Sequence, residues 1–249
     1  MGTMAQAGFI NNSKSNQSQN TTINKALAND VNILNAKAIA FFYSGNFDDA
    51  IALSDQALSI EPNNVDALNN KAVALFNLGR SNESNAVIDR ALAIQPNDLD
   101  ALNNKALALL DLGRFNETVA VSDRALFIEP NNVDALNIKA LALVGLGKFN
   151  ESSAIFNKAL IVDPNNLDTL NNIGSALFTL GRSNETVAVS DRALSIEPND
   201  LHALNNKALA LADMGEYNQA VTLFDKVLAI DPNNTDALDS KRLVIDAMK

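Results

Sequence analysis

The sequence predicts an all-α fold, a solenoid of six 34-residue helix hairpins followed by a C-terminal capping helix. Three observations predict it. All six prolines, at 62, 96, 130, 164, 198 and 232, stand 34 residues apart. Glycines at 45, 79, 113, 147, 181 and 215 keep the same step. Trp is absent and aromatic residues make up 5%, while Ala, Leu and Asn dominate, a composition that suits packed helices rather than sheets. A fixed period of this length marks stacked supersecondary units, each too small to bury its apolar face alone.

Counting back from each proline gives units 31–64, 65–98, 99–132, 133–166, 167–200 and 201–234. Ahead of them, 1–22 reads as a polar leader predicted to be disordered, and 23–30 as a partial N-terminal helix. Every unit ends in Asn or Asp (Asn64, Asp98, Asn132, Asn166, Asp200, Asn234), the chemistry that starts the next helix. Leu68, Lys71, Ala72 and Leu75 then share one helical face. Gly79 supplies the left-handed residue that stops this first helix. Asn82 is expected to cap a second helix, with Val87, Ala91, Leu92 and Ile94 in its apolar stripe. Pro96 ends that helix, because the residue before a proline avoids helical geometry. After the sixth unit, 235–249 restarts a first helix. Arg242 there replaces the small residue of every unit, so no second helix could pack on it and the segment reads as a solvating cap.

In length, glycine, proline and small-residue positions, 31–234 resembles the tetratricopeptide repeat (TPR) family. The small residues at the helix crossing are Ala38, Ala72, Ala106, Ala140, Gly174 and Ala208. A later small position carries Ala50, Ser84, Thr118, Ser152, Thr186 and Ala220, and the next Ala57, Ala91, Ala125, Ala159, Ala193 and Val227. Leu34, Leu68, Leu102, Leu136, Leu170 and Leu204 stand where the family has an aromatic residue. Lys37, Lys71, Lys105, Lys139 and Lys207 replace its usual leucine, with stems able to lie on apolar surface. The resemblance implies a right-handed α-solenoid with a concave groove, acting as a non-catalytic protein-interaction scaffold. A two-unit alternation (Ser54, Ile88, Ser122, Phe156, Ser190, Phe224) suggests growth by duplication of repeat pairs.

Composition excludes several chemistries. The net charge of −10 repels phosphate backbones and anionic lipid, so neither a nucleic-acid partner nor membrane insertion is expected. No apolar run approaches the ~18 residues of a membrane span, and a soluble chain is predicted. With no Cys and one His, thiolate nucleophiles and paired-imidazole metal sites are out. No phosphate loop, HExxH or calcium loop occurs, so no catalytic residue, metal or cofactor is assigned. His202 replaces the Asp66, Asp100, Asp134 and Asp168 of earlier first turns and reads as an exposed substitution, those acids as helix-dipole partners. The Asp89-Arg90, Asp123-Arg124 and Asp191-Arg192 pairs read as solvated faces.

Asparagine forms the outstanding pattern. The fifth position of every first helix is Asn (Asn35, Asn69, Asn103, Asn137, Asn171, Asn205), and the sixth is Asn in four units (Asn70, Asn104, Asn172, Asn206). At 100° per residue both fall opposite the Leu68–Ala72–Leu75 face, on the side that lines the groove in TPR arrays. Asn forms helices poorly, so its recurrence calls for a reason. One is structural, amides bonding between neighbouring repeats. The other is functional, amides gripping the backbone of an extended peptide. The line resembles the asparagine ladder in the TPR superhelix of O-GlcNAc transferase. A carboxylate clamp is disfavoured, because its basic positions hold Asp100 and Asn104, Asp134 and Ile138, or Asp168 and Asn172. The acidic rim favours a neutral or basic segment.

Asn-x-Ser/Thr recurs at Asn82, Asn116, Asn150 and Asn184, each at the expected cap of a second helix, and again at Asn11, Asn16, Asn20 and Asn233. These are candidate glycosylation sites, although 36 of the 249 residues are Asn and the spacing alone is weak. Ala5-Gln6-Ala7 resembles the cleavage end of a secretory signal without its apolar core, so cytoplasmic and exported locations both stay open. The sequence thus predicts a scaffold for a protein or peptide. The alternatives are a self-assembling structural or surface protein, and the interaction part of a larger enzyme or sensor.

Overall fold

The computed structural model describes residues 30–248. The leader, residues 23–29 of the partial helix, the Ala5–Ala7 motif and the Asn11, Asn16 and Asn20 sequons lie outside them. Among the described residues every regular element is helical. The chain divides into two compact units, Met1–Arg114 and Phe115–Lys249. The first holds α1 (30–43), α2 (Phe47–Ile60), α3 (Val65–Asn77), α4 (Ser81–Ile94) and α5 (Leu99–Asp111). The second holds α6 (Phe115–Ile128), α7 (Val133–Gly145), α8 (Phe149–Val162), α9 (Leu167–Thr179), α10 (Ser183–Ile196), α11 (Leu201–Asp213), α12 (Tyr217–Ile230) and α13 (Thr235–Ala247). Within each unit consecutive helices pack on one another, and next-but-one first helices also touch, as α3 does α5 and α9 does α11.

Local chemistry sets each boundary. The Asn64 side chain accepts the Ala67 N–H at 2.9 Å, and Asp98, Asn132, Asn166, Asp200 and Asn234 cap their helices in the same way. Gly79 sits at φ +71° with open space where a Cβ would stand, so conformation and not crowding requires the glycine. Around it the Gly79 N–H bonds the Phe76 carbonyl and the Arg80 N–H bonds the Leu75 carbonyl, both at 2.9 Å. That paired closure satisfies carbonyls the helix end leaves open. At the other turn Glu61, before Pro62, has left helical geometry at φ −123° and ψ 88°.

The core is a ladder of small residues crossed by leucines. Ala72, Ala91, Ala106, Ala140, Ala159 and Ala193 have no exposed surface, which lets helix axes approach closely. Leu68, Leu102, Leu136, Leu170 and Leu204 are at most 1% exposed. Each such leucine contributes about 1.5–3 kcal/mol by burial.

Two expectations are corrected. Asn82, Asn150 and Asn184 do not cap their helices. Those helices start at Ser81, Phe149 and Ser183, the flanking residues are Arg80, Lys148 and Arg182, and no side-chain cap bond forms. Asn116 is likewise the second residue of α6. The Arg80 N–H is already committed to closing α3, so one residue ends a helix and begins the next, and Asn82 falls inside. The stripe of α4 is Ser84, Ile88, Ala91 and Leu92, whereas Ile94 is 38% exposed, off the i, i+4, i+7 line. The last helix, α13, buries Ala237 and Val244 and exposes Asp236, Asp239, Arg242 and Asp246 alongside Leu238, Leu243 and Ile245, so its outer face is mixed polar and apolar.

Candidate functional site

The fifth-position asparagines are built into the repeat junctions. Asn35 Nδ2 donates to Asn64 Oδ1 at 3.1 Å, Asn69 Nδ2 to Asp98 Oδ1 at 3.1 Å, and Asn171 Nδ2 to Asp200 Oδ1 at 2.9 Å. Each bond joins a first helix to the cap of the next, 29 residues on. The sixth position reaches back: Asn206 Nδ2 donates to the Asn171 backbone carbonyl at 3.1 Å. Sequence periodicity around one helix placed the fifth position on the open side. In the structure it faces the neighbouring repeat, with Asn35 and Asn137 only 7% and 5% exposed. Asn70, Asn104, Asn172, Asn205 and Asn206 are half-buried, as are Asn69, Asn103 and Asn171.

Donation leaves an acceptor over. The Oδ1 atoms of Asn35 and Asn69 in the first unit, and of Asn137, Asn171 and Asn205 in the second, are buried without a hydrogen-bond donor. The Asn70 amide nitrogen is buried without an acceptor. An unmet buried polar atom costs about 1–3 kcal/mol. Its recurrence at one register position marks the first-helix line as a place with hydrogen-bonding capacity in reserve. The acids Asp66, Asp100, Asp134 and Asp168 and the lone His202 are exposed at the starts of the same helices.

Two further sets of residues prove structural. The hydroxyls of Ser84 and Ser152 donate to the Ala72 and Ala140 backbone carbonyls at 2.8 Å, and Thr186 reaches that of Gly174 at 3.5 Å. These hydroxyls therefore have a use inside the hairpin. The adjoining Asn82, Asn116, Asn150 and Asn184 are exposed. The acids Asp89, Asp123 and Asp191, read as solvated faces, are exposed and, with Asp55 and Asp225, also clasp the next repeat. Asp55 pairs with Lys71, Asp89 with Lys105, Asp123 with Lys139, Asp191 with Lys207 and Asp225 with Lys241. Arg90 and Arg192 reach back to the Pro62 and Pro164 carbonyls. Sequence reasoning missed these clasps, although the constant 16-residue offset between Asp and Lys was there to be seen. No group of acidic or His side chains among the described residues could hold a metal ion.

Capped hairpins repeated on one period, with small residues at each crossing, define a helical-repeat protein. Family models described as tetratricopeptide repeat match residues 41–108, 133–166, 167–200 and 202–234, together more than half of the chain. The chain belongs to the tetratricopeptide repeat family, and its general role is that of a protein-interaction scaffold. None of the curated proteins matches it in sequence. Among solved structures it is similar to TTC0263, a thermophilic TPR protein of Thermus thermophilus, at 21% identity and TM-score 0.68, over 73% of this chain and 98% of that one. PilW, a widely conserved type IV pilus biogenesis factor, matches at 19% and 0.71, over 84% and 97%. Pseudomonas aeruginosa pilF matches at 15% and 0.65, over 90% and 100%. Identities this low bear on fold alone. No helix of the described residues is long and apolar enough to cross a membrane.

Proposed function

We propose that the chain is a non-catalytic scaffold that binds an extended peptide segment along its first-helix line, using Asn35, Asn69, Asn70, Asn103 and Asn104 in the first unit. Asn137, Asn171, Asn172, Asn205 and Asn206 serve the second. The observation that carries the reading is the recurring unmet Oδ1 acceptor. An extended backbone offers N–H donors at regular spacing, which the buried Oδ1 acceptors meet once their amides rotate toward it. The fifth-position amides and Asn206 double as junction bonds, so Asn70, Asn104 and Asn172 are the freer contacts. With a net charge of −10 and exposed Asp66, Asp100, Asp134 and Asp168, the segment is neutral or basic.

The test addresses position six, whose replacement leaves the fifth-position junction bonds in place. Asn70→Ala, Asn104→Ala and Asn172→Ala are combined in one variant, and binding of fluorescein-labelled 12-residue peptides of neutral, basic and acidic composition is followed by anisotropy. Loss of neutral and basic peptides with an unchanged melting temperature supports the reading. Undiminished binding removes these residues from it.

A second reading, self-association, is favoured by the exposed Leu238, Leu243 and Ile245 of α13. Light scattering across a concentration series decides it, since a scaffold awaiting its partner keeps a constant mass. Glycosylation at Asn82, Asn116, Asn150 and Asn184 rests on spacing alone, and the intact mass of native material tests it.

A further inference from the structure

The Asp–Lys clasp is interrupted once among the described junctions of the second unit. Between α8 and α9 its positions hold Asn157 and Ile173, which cannot form an ion pair. Departures cluster around them. Ser153 stands where three repeats have Val119, Val187 or Val221, Gly174 where the others have Ala, and Ser175 where four have Leu or Val. Of these, Ser153, Asn157 and Ile173 line the α8–α9 junction, whereas Gly174 is packed toward Ser190 and Asn206 and Ser175 is exposed. At this junction the structure has a cavity of about 150 Å³, walled by Phe149, Phe156, Ile173, Ala176, Leu177 and Leu180. Phe149, 41% exposed, and the exposed Asn150, Ser153 and Asn157 stand at its mouth.

Volume and charge together decide the occupant. Pockets for metabolite-sized ligands run from about 300 Å³ upward, whereas about 150 Å³, the volume of this open and partly polar pocket, is the scale of a single benzene-sized ring. The one buried hydroxyl in the wall, Ser152, already donates to the Ala140 carbonyl at 2.8 Å. At the rim Arg182 is held by both carboxylate oxygens of Glu185 at 2.7 Å. With the clasp gone and Arg182 paired, the rim is neutral, matching an uncharged occupant.

We propose that the α8–α9 cavity is a receptor for one uncharged aromatic side chain projecting from a partner protein. The proposal rests on the reading of the chain as a protein-binding module. It uses none of the asparagines on the first-helix line, so each reading is overturned by its own variant.

The test is an amide NMR titration of the full chain with the blocked pentapeptide Ser-Ala-Phe-Ala-Ser, with its counterpart carrying Ala at the centre, and with toluene. A lone ring anchor corresponds to dissociation constants of about 1 mM. The phenylalanine peptide is expected to shift Ser153, Asn157, Ile173 and Ala176 saturably, and the alanine peptide is expected to bind about tenfold more weakly or worse. The double variant Asn157→Asp/Ile173→Lys restores the clasp of the other junctions. It should reduce the phenylalanine peptide's affinity about tenfold with an unchanged circular dichroism spectrum. Ser153→Val, which fills the mouth with a residue three repeats already carry, should do the same. Absence of shifts at peptide concentrations of about 10 mM, or equal shifts in both variants, overturns the proposal. Binding of toluene without the peptide overturns a partner side chain as the occupant and leaves a small-molecule pocket.

Discussion

Asn171 and Ala203 share one acceptor. Asp200 Oδ1 takes the Asn171 amide at 2.9 Å and the Ala203 backbone N–H at 2.6 Å, so one carboxylate caps α11 and ties it to the preceding first helix. Asn69, Asp98 and Ala101 repeat the arrangement in the first unit.

Removing the shared acceptor therefore costs more than removing either donor. Asp200→Ala is expected to lower stability by roughly 2–3 kcal/mol, a lost cap plus a stranded amide. Asn171→Ala leaves the cap intact and regains helix propensity, for a net loss of about 1 kcal/mol or less. In urea titrations the double variant should lose less than the sum of the singles, since both delete the same bond.

How much of this was legible in the sequence depends on the range of the interaction. Caps, glycine stops and proline turns were, because Asn64, Gly79 and Pro62 act on residues within one turn. The Asn82 cap was misread because a glycine closure ending on Arg80 looks, residue by residue, like a free linker. The asparagine rungs span 29 residues, and a helical wheel of one helix has no information about the cap of the next. The α8–α9 cavity was written in the repeat alignment as Asn157, Ile173 and Ser153, but its volume depends on how two helices settle around them.

Backbone strain at the glycine stop is separable from packing. Gly79→Ala places a methyl group into open space yet keeps φ at +71°, so its cost is purely conformational, about 1–2 kcal/mol. Thermal melting monitored at the helical band should register that loss without any change in the spectrum of the folded state.

One exposed ion pair has a defined pH signature. Arg80 Nε and Nη2 donate to the two Glu83 carboxylate oxygens at 2.7 Å, and this hydrogen-bonded guanidinium holds the Glu83 carboxyl below its ordinary range. A depressed carboxylate stabilises the fold above its unfolded pKa, and that contribution fades as pH falls through the folded one. Carbon-detected NMR titration should find the Glu83 midpoint lower than that of an isolated glutamate. In Arg80→Gln the midpoint should return upward, with little change in stability because the pair is fully solvated.

The sharpest packing prediction concerns Phe115 and Gly145. A Cβ built on Gly145 would lie 2.6–2.7 Å from three atoms of the Phe115 ring, well inside contact distance. At the matching junctions of other repeats the pair is Ser81 with Asp111 and Ser183 with Asp213, each hydrogen-bonded at 2.5 Å, so aromatic-with-glycine and serine-with-aspartate are alternative solutions. Alanine is the better helix former by about 1 kcal/mol, so propensity alone favours Gly145→Ala. Displacing the ring opposes it by about 1–3 kcal/mol. The substitution is expected to destabilise the protein by about 1 kcal/mol in the native background, where packing outweighs propensity. In a Phe115→Ser background the ring is absent and the same substitution should stabilise by about 1 kcal/mol. Denaturant titration of the four proteins measures both signs. A stabilising Gly145→Ala with Phe115 present would show that the ring yields freely and that the glycine there has no packing role.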